Sequence, residues 1–152
     1  QALSQGMHFS VVCAEDMPLL EGTPAMPAGD FGHALTDVYR RVCADWPRGQ
    51  VPQGFYQVPV SPAPVLLLSG AIDPVTPPRH GQRVSQALGV KARHVVVPNA
   101  GHGVMALGCL RDVVYRFVDA TDEAAALSLD TDCAKGLPRP GLFTPPMPEA
   151  AR

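Results

Sequence analysis

An aspartate and a histidine, each just beyond a short apolar run, are the residues of this chain best suited to chemistry. Asp73 follows the run at residues 64–69, and His102 follows the run at residues 93–98. A carboxylate that accepts a hydrogen bond from an imidazole N–H fixes the ring's tautomer and stabilises the imidazolium. The other ring nitrogen can then act as a general base. In this order along the chain, Asp73 and His102 predict the last two members of a Ser-Asp-His triad.

The serine that would complete the triad has no matching motif, because no G-x-S-x-G pattern occurs in the 152 residues. Ser4 lies in A-L-S-Q-G, which lacks the first glycine, and Ser69 lies at the end of an apolar run. We interpret neither as a nucleophile. We therefore expect the serine on an N-terminal part of the same enzyme, and we expect this chain alone to be inert.

The elements that would position the two groups alternate between strand and helix. Residues 65–68 are wholly apolar and predict a strand buried on both faces, as in a parallel sheet. Residues 78–88 predict a helix that ends at Gly89, and residues 95–97 predict the next buried strand. This order predicts parallel strands with a helical crossover. Asp73 and His102 would then lie at one edge of the sheet, beyond the carboxyl ends of its strands.

Each candidate residue also has a simpler interpretation. Asp73 alone is typical of a turn before proline, and His102 alone, between two glycines, is typical of a surface loop. Their joint arrangement favours the catalytic interpretation, since two strands deliver them to one edge in triad order. Thr76 is expected to donate its hydroxyl within the loop, either capping the following helix or supporting Asp73.

The segments that flank this region also carry secondary-structure signals. Residues 8–13 (H-F-S-V-V-C) are β-branched and predict a strand, and Asp30 predicts the N-cap of a helix from Phe31 to about Trp46. Residues 104–118 predict a second helix after His102.

Three regions follow from these assignments. Residues 1–60 would be the end of a lid region with one strand, a helix and a linker, and residues 61–120 a core that carries the Asp and His loops. Residues 121–152 would form a Pro-rich tail tied by a disulfide.

Four cysteines indicate the compartment. No C-x-x-C pair occurs, so we expect no zinc or other metal site. An even number in a Pro-rich, Lys-poor chain predicts disulfides and an oxidising compartment, secreted or periplasmic. Of the three possible pairings we favour Cys13–Cys43 and Cys109–Cys133, because each closes a loop within one local unit. The alternative is four buried free thiols.

Charge and hydropathy exclude two classes of partner. The formal net charge is -2 and its signs are scattered, which gives no electrostatic basis for binding nucleic acid. No apolar run approaches the roughly 20 residues of a membrane span.

The residues of these motifs resemble those of a known protein family. L-L-L-S-G-A-I-D-P-V-T-P-P followed by V-P-N-A-G-H-G is similar to the C-terminal part of α/β-hydrolases related to bacterial tripeptidyl aminopeptidases and proline iminopeptidases. V-V-C-A-E-D, C-A-D-W-P and the four cysteines resemble the secreted tripeptidyl-aminopeptidase-like group. The resemblance covers residues 8–143. It implies an α/β fold: the C-terminal portion of an α/β-hydrolase fold, with the last three strands of a mostly parallel sheet and their flanking helices.

The resemblance also implies a function. Members are serine exopeptidases that act through an acyl-serine intermediate without metal or organic cofactor. It makes Glu15 and Asp16 candidates for binding the free α-ammonium of a peptide substrate; a solvated loop pair is the alternative. The partner would be the serine-bearing N-terminal portion. A carboxylesterase that takes ester substrates, or a catalytically inactive binding remnant, remains an alternative.

Overall fold

The computed structural model describes residues 4–22, 32–139 and 141–142. The chain divides into two compact units, Gln1–Gln57 and Val58–Arg152. Over the described residues, no helix combines the length and apolar character needed to cross a membrane.

The first unit is built from helices in the part of it that the structure describes. Its elements are α1 (Gln5–Val11), a π-helical turn (Val12–Asp16), α2 (Met17–Glu21), α3 (Ala34–Asp45) and a 3-10 turn (Gln53–Tyr56).

The strand predicted at residues 8–13 is wrong, because this segment is helical. Phe9, Cys13 and Met17 recur every four residues, so on a helix their side chains share one face. That face forms a core with Cys43 of α3, in which Cys13 and Met17 are fully buried. The segment 8–13 alone is too short to show this period, which extends to Met17. Burial of one helical face outweighed the strand preference of Val11 and Val12.

A disulfide joins Cys13 in the π-helical turn to Cys43 in α3. The pairing is the one favoured from the sequence, but it links two helical segments rather than a strand and a helix. The helix predicted from Phe31 to Trp46 is present as Ala34–Asp45. Asp30 and Phe31 lie outside the described residues, so the predicted N-cap does too.

The second unit carries the α/β part of the chain. Its elements are β1 (Val65–Gly70), α4 (Pro78–Leu88), β2 (Ala92–Val97), α5 (Leu110–Val118) and α6 (Glu123–Leu127). The predicted helix at residues 78–88 is confirmed at its predicted bounds, and Gly89 after it has a φ of 59°. Both predicted strands of this unit are confirmed and are longer than predicted. They pair in parallel, from Val65 opposite Ala92 to Gly70 opposite Val97.

Burial of the two strands is less complete than the sequence predicts. Along β1 only Gly70 is fully buried, and Val96 of β2 is 43% exposed. Because the sheet has two strands among the described residues, each strand has one neighbour. An edge strand has no second neighbour to cover its other side. The third strand expected here was the segment 8–13, which is helical.

The helix predicted at residues 104–118 is interrupted. Val104–Ala106 forms a 3-10 turn, and α5 begins only at Leu110. Gly108, with a φ of 48°, lies in the left-handed region, which ends a helix.

The tail after α6 closes the core of the second unit. Ala134 is 1% exposed and belongs to the same cluster as Val97 of β2 and Leu110 of α5. The Cys109–Cys133 disulfide, favoured from the sequence, fixes this tail across a separation of 24 residues. Loop closure of that size contributes about 3 kcal/mol in the chain-entropy model. The end of the Pro-rich tail, from residue 143, lies outside the described residues.

Gly70 ends β1 where another segment passes very close to its backbone. A Cβ atom at this position would collide with the carbonyl oxygens of Ala100 and Gly101. Only glycine allows the segment after β2 to approach the end of β1 this closely.

Gly70→Ala should therefore destabilise the second unit by about 2 kcal/mol or more, because the colliding atoms are backbone rather than flexible side chain. Gly101→Ala is the matched control: a Cβ there meets nothing within 4 Å. It should change the free energy of unfolding by less than about 1 kcal/mol. Urea unfolding of the two variants measures the difference. Equal effects would mean that the close approach is not required.

Candidate functional site

Two loops meet at the carboxyl ends of the paired strands. The acid loop (residues 71–77) follows β1, and the histidine loop (residues 98–103) follows β2. Since Gly70 lies opposite Val97, the loops leave the sheet side by side. Two backbone hydrogen bonds join them: Ala71 N to Val97 O at 2.9 Å and Ile72 N to Ala100 O at 3.1 Å.

The Asp73 carboxylate accepts four hydrogen bonds where the two loops meet. Oδ1 accepts from the backbone N–H groups of Val75 (2.8 Å) and Thr76 (3.1 Å). Oδ2 accepts from Thr76 Oγ1 at 2.7 Å and lies 2.9 Å from Nδ1 of His102. The backbone bonds form an Asx turn, so the loop folds around its own aspartate. The structure thus brings together Asp73, Thr76 and His102.

These hydrogen bonds keep Asp73 ionised. The side chain is only 4% exposed, and desolvation by burial acts to raise its pKa. The hydrogen bonds from Thr76, His102 and Val75 outweigh that effect and hold the pKa well below its usual range. An ionised carboxylate has no proton to donate, so every group around Asp73 must donate to it.

His102 has one engaged nitrogen and an accessible ring. Nδ1 faces Asp73 and Thr76, while the side chain is 62% exposed. Within the described part of the chain, Nε2 makes no hydrogen bond. A ring whose Nδ1–H points at a carboxylate presents Nε2 with its lone pair outward. The arrangement can therefore accept a proton at Nε2 and stabilise the resulting imidazolium.

The conformation of the histidine loop depends on one of the two glycines beside His102 and on a residue that the sequence interpretation missed. Gly103 has a φ of 86°, and the missed residue, Asn99, has a φ of 55°. Asn99 Nδ2 donates to Leu137 O at 3.0 Å, and its Oδ1 accepts from Arg139 Nε at 3.3 Å. The tail therefore holds the loop through these two hydrogen bonds. Asparagine tolerates the left-handed region better than other side chains do, which was the available signal.

The acid loop is stiffened before α4 begins. Pro77 precedes the helix, and Pro78 occupies its first turn. Proline there costs no hydrogen bond, because the first N–H groups of a helix have no partner within it. The loop loses little further conformational entropy when it orders around Asp73.

A cleft of about 400 Å³ opens beside the two loops. Its wall combines the polar groups of the site with apolar side chains from β1, the 3-10 turn and α5. These are Asp73, Thr76 and His102 with Leu66, Leu68, Val104, Met105, Val114 and Phe117.

Glu15 and Asp16 belong to the first unit. They would follow the strand predicted at residues 8–13, but in the structure they end the π-helical turn Val12–Asp16. Glu15 is half-buried and Asp16 is exposed. The Tyr56 hydroxyl donates to the Glu15 carbonyl at 2.9 Å, which ties the turn to the 3-10 segment. The structure thus groups Asp73, Thr76 and His102 in one unit and places the acidic pair in the other.

Three other histidines have ordinary surroundings. His94 lies 2.9 Å from Ser69 Oγ beneath α4, where burial lowers its pKa, and His8 lies 3.0 Å from Tyr39 Oη. His80 is exposed on α4. Across the residues described, no group of three or more His, Cys, Asp or Glu side chains is arranged to hold a metal ion.

Comparison with known proteins gives one match. Residues 27–133, well over half of the chain, match the family model described as TAP-like protein. The matched range contains Asp73, Thr76 and His102, and it excludes Cys13 and Glu15. No curated protein and no solved structure matches the chain.

Proposed function

The chain belongs to the TAP-like family of α/β-hydrolases, and from this premise we propose that it supplies the acid and the base of a Ser-Asp-His triad. The serine would come from an N-terminal segment outside these 152 residues, since no G-x-S-x-G occurs within them. One observation carries the proposal. His102 Nδ1 lies 2.9 Å from an ionised, buried Asp73 carboxylate, on an otherwise exposed ring.

In the proposed reaction His102 transfers one proton in each of the two half-reactions. Its Nε2 takes the proton of the serine hydroxyl as the oxygen attacks the carbonyl carbon, and then gives that proton to the leaving amine. Water then attacks the acyl-serine: Nε2 takes a proton from the water and gives it to the serine oxygen as the ester bond breaks, which releases the acid and restores the serine. Throughout, Asp73 stays ionised and stabilises the imidazolium.

We propose a peptide with a free N-terminus as substrate, so that the enzyme is a serine exopeptidase of aminopeptidase type. Glu15 would bind the α-ammonium group. Among the described residues its carboxylate has no hydrogen-bond or ion-pair partner, so it is available to a ligand. A carboxylate removed from bulk water binds an ammonium group through charge-assisted hydrogen bonds. Two disulfides suit a secreted or periplasmic enzyme.

His102→Ala or Asp73→Asn, made in the enzyme that includes the serine-bearing segment, should lower kcat for peptide nitroanilides by about 10⁴-fold. The cause is loss of the base, or of the group that fixes its tautomer. Residues 1–152 alone should neither hydrolyse these substrates nor react with a fluorophosphonate.

His80→Ala is the matched control, because it removes an exposed imidazole of the same unit and should leave kcat unchanged. Near-normal turnover of His102→Ala would refute the triad assignment. A serine-bearing enzyme with no activity on any peptide or ester would favour an inactive binding protein.

Glu15→Gln keeps the size of the side chain and removes its charge. It should lower kcat/KM for free-amine peptides by about 10- to 100-fold, the effect expected for a charged hydrogen bond. N-acetylated peptides, already poor substrates, should change little. The measurement compares matched free and acetylated peptides in wild type and variant.

Asp16→Asn is the control for this test, since it removes the neighbouring, more exposed charge. Equal loss on both kinds of peptide, or loss on neither, would make Glu15 a structural residue. Turnover of carboxyl esters without turnover of free-amine peptides would instead identify a carboxylesterase.

A further inference from the structure

The Thr76 hydroxyl lies between the two members of the Asp-His pair. Its Oγ1 is 2.7 Å from Asp73 Oδ2 and 3.2 Å from His102 Nδ1, while Oδ2 and Nδ1 are 2.9 Å apart. The three atoms form a closed triangle in which each lies within hydrogen-bond distance of the other two.

The protons of this triangle can be assigned by counting donors. Asp73 is ionised, so Oδ2 can only accept. The Thr76 hydroxyl has a single hydrogen, and its shortest contact, at 2.7 Å, directs that hydrogen to Oδ2. With its hydrogen used, the hydroxyl oxygen can only accept from His102. Nδ1 must then carry the ring's proton and share it between Asp73 Oδ2 and Thr76 Oγ1.

We propose that Thr76 is a positioning residue that holds neutral His102 in its Nδ1–H tautomer. This arrangement leaves Nε2 unprotonated, which is the state a general base requires. The catalytic consequence rests on the proposed function, whereas the tautomer is a property of this chain by itself.

One alternative placement of the two protons competes with this one. If the Thr76 hydroxyl turned its hydrogen toward Nδ1, the ring would carry its proton on Nε2. Oδ2 of a side chain only 4% exposed would then lose both of its donors. The carboxylate would keep only its two backbone donors, which are at Oδ1, and a buried charged oxygen that has lost its donors is costly. The charge of Asp73 therefore selects the arrangement in which Thr76 accepts from the ring.

Thr76 also restrains the carboxylate itself. Its backbone N–H donates to Oδ1 while its hydroxyl donates to Oδ2. One residue therefore contacts both oxygens and limits rotation of the carboxylate about its bond to Cβ. The ring of His102, which is largely exposed, is held by contacts at Nδ1.

The tautomer can be read by ¹⁵N NMR of His102 in the 152-residue chain, at a pH where the ring is neutral. Wild type and Thr76→Ser should show predominantly the Nδ1–H form. Thr76→Val removes the hydroxyl at nearly constant shape, and the ratio of Nδ1–H to Nε2–H should fall about three- to tenfold, the worth of one hydrogen bond. Thr76 is exposed, so the variant should fold, and Thr76→Ala repeats the measurement if it does not.

The ring of His80 is the internal reference, and its tautomers should not differ among the variants. An unchanged His102 ratio in Thr76→Val and Thr76→Ala would overturn the proposal. So would a loss in Thr76→Ser equal to that in Thr76→Val, because it would show that the hydroxyl is not the group responsible.

Activity of the serine-bearing enzyme separates this proposal from the proposed function. Thr76→Val should lower kcat by about 10-fold or more with little change in KM, and Thr76→Ser should restore it. In an Asp73→Asn background the same change should add little, because without the charge of Asp73 the Thr76 hydroxyl is no longer oriented to accept from the ring. A tautomer shift without peptidase activity in wild type would support the role of Thr76 and refute the function. Peptidase activity with no tautomer shift would do the reverse.

Discussion

The ionised carboxylate of Asp73 is the constraint around which the second unit is organised. A nearly solvent-free charge is tolerated only where donors surround it. The donors come from its own loop, through Val75 and Thr76, and from the histidine loop, through His102. His102 can reach Asp73 only because the two parallel strands end at the same level and the loops that follow them are in contact. Glycine at position 70 makes that contact possible.

Support for the histidine loop comes from the far end of the chain. The tail packs Ala134 into the core and offers Leu137 O to Asn99, while a disulfide at Cys133 holds it in place. The disulfide and the packing of Ala134 therefore both stabilise the loop that carries the exposed imidazole of His102. These contacts stabilise the histidine loop in a unit whose two described strands are largely half-exposed.

The sequence predicted the elements whose signals are local. Helix α4 lies between a proline at position 78 and a glycine at position 89, and the two strands are uninterrupted apolar runs, so their assignments were confirmed. The segment 8–13 failed because its four-residue period continues through Met17, beyond the window, and its partner Cys43 lies 30 residues away. The Asp73–His102 contact followed from topology. The left-handed backbone at Asn99 had a local signal in its residue type. Its contact with Leu137 and the role of Gly70 could not be predicted, since each depends on a tertiary approach that no local pattern encodes.

The family assignment and the Asp73–His102 geometry together lead to a single central claim: His102 is the base for a serine carried by another segment. The most direct measurement is a crystal structure of the serine-bearing enzyme after reaction with a fluorophosphonate. We expect a modified serine outside residues 1–152, with His102 Nε2 about 3 Å from its Oγ and Nδ1 still hydrogen-bonded to Asp73. A modified serine within residues 1–152, or a His102 ring turned away from the adduct, would contradict it.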